Sequence, residues 1–148
     1  MKRREFIAVA GSTACTAAVV ASAATTSAQT TQGMEDMHAP KFKAVELSSS
    51  ACVASGEDCL RHSLGMWSMK DTTMSACANA VMQLVAVCRA LHTLASMNSP
   101  YTVDFAKNTA LVCDAAAKEC QPFYTKYPEC KVCADDCKKC ADDCRKLR

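Results

Sequence analysis

The chain is poor in most of what builds an ordinary small domain. Its 148 residues hold four glycines, four prolines, one tryptophan and 5% aromatic side chains. From Gln29 onward there are eight leucines, eight valines, three phenylalanines and no isoleucine, too few aliphatic groups for a usual core. Beyond residue 40 only Gly56 and Gly65 remain and β-branched runs are rare, which argues against sheet. Net charge is scarce as well: from Gln29 on, 14 basic side chains face 14 acidic ones, a balance that makes the chain a poor candidate for nucleic acid or anionic membrane. No Ser/His/Asp set, nucleotide-binding loop or pair of internal carboxylates emerges, so the chain reads as not an enzyme. Asp135, Asp136, Asp142 and Asp143 are expected on an outer helix face.

Cysteine is what the chain has instead, 12 in all and 11 after Cys15. Eleven is odd, so complete pairing within one chain is impossible. Met1 to Ile7, M-K-R-R-E-F-I, is a basic start with paired arginines, followed by a weakly apolar stretch to Ala24 and small residues that offer cleavage after Ala23 or Ala28. Residues 1–28 therefore resemble a bacterial twin-arginine signal, which implies export of the folded protein to the periplasm or another extracytoplasmic compartment. Residues 29–40 read as a flexible leader, in which Met34, Met37 and His38 could capture metal transiently. No membrane insertion is expected once the signal is removed.

Residues 41–148 read as one helical domain. Breaks at Lys70–Asp71, Asn98–Pro100 and Gln121–Pro128 divide it into helices over about 41–68, 72–97, 100–121 and 128–146. Ser99 is expected as an N-cap with Pro100 at the first helical position, and Pro128 with Glu129 opens the last helix. Short connections make successive helices antiparallel, so the expected fold is all-α, an up-down-up-down four-helix bundle.

The cysteines share one face of these helices. At 100° per residue, Cys130, Cys133, Cys137, Cys140 and Cys144 fall at about 0°, 300°, 340°, 280° and 320°, a single stripe. The segment is a heptad written twice, Cys133-Ala-Asp-Asp-Cys137-Lys-Lys and Cys140-Ala-Asp-Asp-Cys144-Arg-Lys, with thiols at the core positions and no leucine. Cys52 and Cys59, and Cys113 and Cys120, are seven apart; Cys77 and Cys88 are eleven apart. Both spacings return to nearly the same face. All eleven thiols can thus point at one axis.

Four chemistries compete for such a core. Cysteine can serve as a small buried hydrophobe, but a seam of thiols forfeits much of the burial energy of leucine or valine. Disulfides suit an oxidising compartment, yet pairs three or four apart on one helix are badly oriented for them. Zinc in four thiolates carries two negative charges inward, and C-x2-C-x3-C-x2-C-x3-C is not a ferredoxin spacing. Cu(I) is soft and accepts two thiolates, so ions and bridging thiolates cancel charge one for one along the axis, with multiple ions per chain. A disulfide-stabilised or redox-active periplasmic helical module stays open as the alternative.

The Gly56-Glu57-Asp58-Cys59-Leu60-Arg61-His62 segment and the Cys130–Cys144 ladder resemble the bacterial four-helix-bundle copper storage proteins. The resemblance covers the chain from about Lys41 to its end. It implies many Cu(I) ions held by core cysteines, commonly in a homotetramer, and copper-dependent enzymes or copper chaperones as clients, particulate methane monooxygenase among them. Ser63 and Ala117 stand at core-facing angles where another cysteine would fit, so capacity should be lower than in the most thiol-rich members. His62, Met66 and Met69 follow Cys59 at +3, +7 and +10 on the thiol face, and Met74 begins the next helix. Together they resemble the family's copper mouth. His92, at the opposite end, reads as structural or solvent-facing.

Overall fold

A computed structural model of the chain describes residues 38–147. The proposed signal and most of the leader, with Cys15, Met34 and Met37, lie outside the described residues. Four α-helices follow one another: α1 Lys43–Ser68, α2 Ser75–Ser96, α3 Thr102–Cys120 and α4 Pro128–Lys146, with a 3-10 turn Gln121–Phe123 after α3. Each helix packs on two neighbours in the ring order α1, α2, α3, α4, and α4 closes back on α1. This is the expected four-helix bundle. Its antiparallel order puts the end of α1, the start of α2, the end of α3 and the start of α4 at one opening.

The two hairpins stop their helices in the same way. After α1, the Lys70 N–H donates to Trp67 O at 2.9 Å and the Asp71 N–H to Met66 O at 3.0 Å; after α2, Asn98 and Ser99 repeat the pattern on Ala95 and Leu94. These are Schellman ends, and the required left-handed residue is Lys70 (φ 64°) or Asn98 (φ 51°) rather than glycine. Asp71 then accepts from both the Thr73 N–H and hydroxyl, at 2.9 and 2.7 Å, which turns the chain into α2.

The start of α3 differs from expectation. Ser99 and Pro100 stay in the turn, and the helix begins at Thr102, whose buried hydroxyl donates to Ser99 O at 2.8 Å and Leu94 O at 3.1 Å. Ser99 still caps this turn as expected: its N–H closes the Schellman end of α2 on Leu94 O, while its hydroxyl accepts from the Tyr101 N–H at 3.3 Å, so only the regular helix starts later than expected. For α4 the expectation holds: Pro128 is its first residue, Glu129 lies in its first turn, and Arg145 and Lys146 lie in its last, all matched to the helix dipole.

Far from the opening, Val45, Leu84, Leu91, Ala95, Thr102 and Ala106 fill the interior, all at most 1% exposed. These aliphatic groups carry most of the ordinary packing energy. α2, the most apolar helix, is long enough to cross a membrane by length and composition, but its Cys77, Val81, Leu84, Cys88 and Leu91 face is wholly buried in the bundle. Three buried serines of α1 are satisfied within their own helix: Ser49 donates to Val45 O, Ser55 to Ala51 O and Ser63 to Cys59 O. Arg89–Glu57 and Arg145–Asp114 ion pairs link α2 to α1 and α4 to α3 on the outside.

Asp143 departs from its expected outer face. It is 5% exposed, at the edge of the seam, and the Lys139 and Lys146 ammonium groups each contact it at 2.9 Å. Asp135 and Asp142 are exposed, and Asp136 is half-buried.

The two glycines of α1 have opposite roles. A Cβ on Gly56 would lie 2.7 Å from Val85 Cγ2 and 3.4 Å from Val81 Cγ1, so this glycine lets α1 and α2 approach. A Cβ on Gly65 would meet nothing within 4 Å. Gly56→Ala should lower metal-free stability by up to about 2 kcal/mol, because crowding two stiff valines outweighs the better helix propensity. Gly65→Ala should raise it by about 1 kcal/mol. Denaturant melts of the two variants check this, and shifts of the same sign would contradict the close α1–α2 contact.

Candidate metal centre

All eleven cysteines of the bundle are free thiols, and all are buried; Cys144, the most accessible, is 2% exposed. The heptad and near-heptad spacings achieve this because every second helical turn returns a thiol to the axis. The antiparallel packing then brings thiols of different helices to the same height. Cys52, Cys88, Cys113 and Cys140, one from each helix, form a cage whose sulfurs lie within 4.8 Å of one another. One level nearer the opening, Cys59, Cys77 and Cys130 form a second group, and Cys59, Cys120 and Cys133 a third. Cys59 belongs to both, so the groups merge. Cys137 and Cys144 extend the same stripe of α4.

The gaps suit metal bridging. Cys77 and Cys120 sulfurs are 3.2 Å apart, Cys59 and Cys130 3.8 Å, Cys59 and Cys77 3.9 Å, and Cys88 and Cys113 4.0 Å. A metal–sulfur bond of about 2.3 Å lets one ion span sulfurs up to about 4.6 Å apart. No helix needs to move for neighbouring thiols to share an ion.

Without metal, the sulfurs would share protons. Hydrogen bonds from Cys120, Cys130, Cys133 and Cys77 pull the Cys59 thiol well below its ordinary value, and bonds from Cys113, Cys144, Cys52 and Cys88 do the same to Cys140. Cys137 is drawn down to about 5 by Cys133 and Cys52. Their neighbours move the other way. Sulfur hydrogen bonds first, and burial after them, hold Cys52 (with Cys113), Cys77 (with Cys120), Cys113 (with Cys140), Cys130 (with Cys59), Cys133 (with Cys120) and Cys144 (with Cys140) above the ordinary value. Cys88, lowered by Cys113 but raised by Cys140, Cys52 and burial, also ends high. Each cage therefore resembles one acceptor surrounded by donors, and soft cations would replace the protons.

At the opening stand the other sequence candidates. Met74 is fully buried and Met66 is 9% exposed. His62 is half-buried, its Nε2 is shielded from solvent without a hydrogen-bond partner, and its ring lies 4.3 Å from that of Tyr127. Met69 is not brought in with them. Helix α1 ends at Ser68, Met69 is the C-cap, and its side chain is 69% exposed. At +10 from Cys59 it lies about 80° off the Cys59 line, at the very edge of the thiol face, and one residue past the helix it turns outward. The sequence reading did not single out Tyr127, whose hydroxyl donates to Met66 Sδ at 3.9 Å. A soft-ligand cluster followed by an aromatic at a Pro-started helix was the only signal for it. His92 is structural: its Nδ1 lies 3.1 Å from Glu46 O, at the far end. Ser63 and Ala117 are buried on the thiol face, at 0% and 6% exposure.

The shared protons make metal-free stability pH-dependent. Seven thiols keep their protons in the folded state after the unfolded chain, with thiols at the ordinary 9.0, has lost them. Folded protein then binds more protons than unfolded, so stability present below about pH 9 is lost as pH rises further. The three lowered thiols act oppositely, their contribution fading as pH falls. Melts of metal-free protein under reductant should show Tm falling above about pH 9. A Tm that climbs there would contradict a core of protonated thiols.

Known proteins share this fold. Two solved structures have the same fold: apo copper storage protein 3 from Bacillus subtilis, at 21% identity over 71% of this chain and 96% of that one, with TM-score 0.62, and Cu(I)-bound copper storage protein BsCsp3, at 20% identity over 71% and 95%, with TM-score 0.62. No curated protein sequence matches significantly. The family model described as copper storage protein matches residues 37–148, the whole bundle and its thiols. A cysteine-lined four-helix bundle with that match belongs to the copper storage protein family.

Proposed function

We propose that the chain stores Cu(I), holding many ions along the bundle axis through Cys52, Cys59, Cys77, Cys88, Cys113, Cys120, Cys130, Cys133, Cys137, Cys140 and Cys144. The observation that carries this is the density of buried sulfur: all eleven thiols of the bundle are free and buried, and nine of them fall into three close groups, two of which merge at Cys59. Charge decides the metal. The four-thiol cage has the ligand set of a zinc site, but zinc there would place two net negative charges in a dry interior. Among the described residues the one buried charged side chain is Asp143, itself negative. Cu(I) shared one for one with bridging thiolates leaves the core neutral. The Cu(I) bound by BsCsp3, a protein of the same fold, supports the choice.

His62 and Met66, with Met74 behind them, form the mouth that passes ions to Cys59 and Cys130. Met69 serves as an exposed first contact on its rim. Storage explains why the buried face is sulfur and why catalysis is not needed: ions are held and given up, without turnover. The paired arginines at residues 3–4 support export of the folded protein to the periplasm by the twin-arginine route. There the protein takes part in copper homeostasis as a homotetramer and supplies copper-dependent enzymes or their chaperones.

Anaerobic titration of reduced protein with Cu(I) against a competing chelator should fill about ten tight sites per chain. Saturation at one or two would overturn storage. The positions without thiols give a second measurement. Ser63→Cys and Ala117→Cys, each adding a sulfur to the buried face, should together raise capacity by about two ions; an unchanged end point would mean that the extra sulfurs miss the ion chain.

A further inference from the structure

Tyr127 stands where ions must enter, and every constraint on it comes from the fold. Pro128 behind it restricts its backbone to the extended region, φ −130° and ψ 109°. Its N–H donates to Phe123 O at 2.8 Å, and the Phe123 ring stacks on its own at 6.3 Å. The side chain is thereby aimed at the mouth. There its ring lies 4.3 Å from the His62 ring, tilted by 50°, and its hydroxyl donates to the Met66 thioether at 3.9 Å. One phenol thus covers the imidazole and occupies the sulfur. Behind it the Cys130 N–H donates to Tyr127 O at 3.1 Å, and Cys130 Sγ is 3.8 Å from Cys59 Sγ, so the first thiols are immediately inside.

We infer that Tyr127 is a gate, which sets the rate at which Cu(I) passes the mouth without holding any of the stored ions. The inference rests on the storage reading above. A phenol oxygen is a hard, neutral donor and a poor ligand for a soft cuprous ion, so coordination does not explain its place. Its contacts do. To use Met66 and His62, an arriving ion must take the thioether from the hydroxyl and displace the ring. Once the ion has moved on to the thiols, the ring closes again. The His62 Nε2, buried and without a partner, is a group whose desolvation is compensated only when the ring moves and an ion arrives. Tyr127 is a positioning residue: it acts through Met66 and His62.

A gate changes speed in both directions and leaves capacity alone. The test compares the full chain with Tyr127→Phe, which keeps the ring and loses the hydrogen bond, and Tyr127→Ala, which removes the cover. Uptake is followed from a Cu(I)–chelator complex and release into excess strong chelator, with ion number per chain and Tm measured alongside. The Phe variant should load and unload about two- to fivefold faster, the loss of one weak hydrogen bond, and the Ala variant faster still. Ion number should stay at the full chain's value in both. Rates equal to the full chain's in both variants would overturn the gate, and so would a lower ion number, which would make Tyr127 a ligand. A full chain that takes up only one or two ions overturns storage, and the gate with it. A full chain that fills completely but no more slowly than its variants overturns the gate alone.

Discussion

Sulfur in place of aliphatic carbon along the bundle seam is the constraint on which everything else depends. A thiol buries less apolar surface than leucine, so the stretch from Cys52 to Cys59 and its partners contributes little ordinary packing energy. The protein offsets this elsewhere. Val45, Leu84 and Leu91 form a conventional aliphatic end, Gly56 lets two helices draw together, and ion pairs tie adjacent helices outside. One end of the bundle is built to fold and the other to be filled.

Antiparallel topology turns four sparse thiol patterns into one dense array. On α1, α2 and α3 the thiols are seven or eleven residues apart and, alone, could hold nothing. Alternating helix direction puts Cys52, Cys88, Cys113 and Cys140 at a single level. α4 contributes a thiol at every a and d position of its heptads, from Cys130 to Cys144, and so runs past all the levels. Because two of the groups share Cys59, an ion at Cys59 and Cys130 would already be within reach of Cys77, Cys120 and Cys133. Proton sharing among the empty thiols and ion sharing among the filled ones are the same geometry used twice.

The opening is a different environment. The soft groups proposed for it are thioether and imidazole, which exchange more readily than thiolate, and they come from the last turns of α1 and the hairpin beyond. The loop before α4 adds an aromatic lid over them. A storage core needs tight sites within and weak ones at the surface, and the change of residue type from cysteine to methionine and histidine supplies that gradient.

Much of this is legible along the chain because helical periodicity is a local property. The heptads of α4, the breaks at Lys70, Asn98 and Pro128, and the inward direction of all eleven thiols follow from spacing, since 100° per residue fixes a face wherever the helix continues. What spacing leaves open is where a helix stops and what lies across from it. Met69 fell outside because α1 ended one residue before it; the regular turns of α3 began at Thr102 although Ser99 kept its capping bond; Asp143, at the edge of the stripe, was covered by its lysines. Which sulfurs share a cage, and that Tyr127 lies on His62 and Met66, depend on residues as distant along the chain as Cys52 and Cys140 meeting at one height. Residue order thus specified the sulfur content and its facing direction, because those repeat within one helix. The cages and their lid came from packing, because distances between helices exist only after all four have assembled.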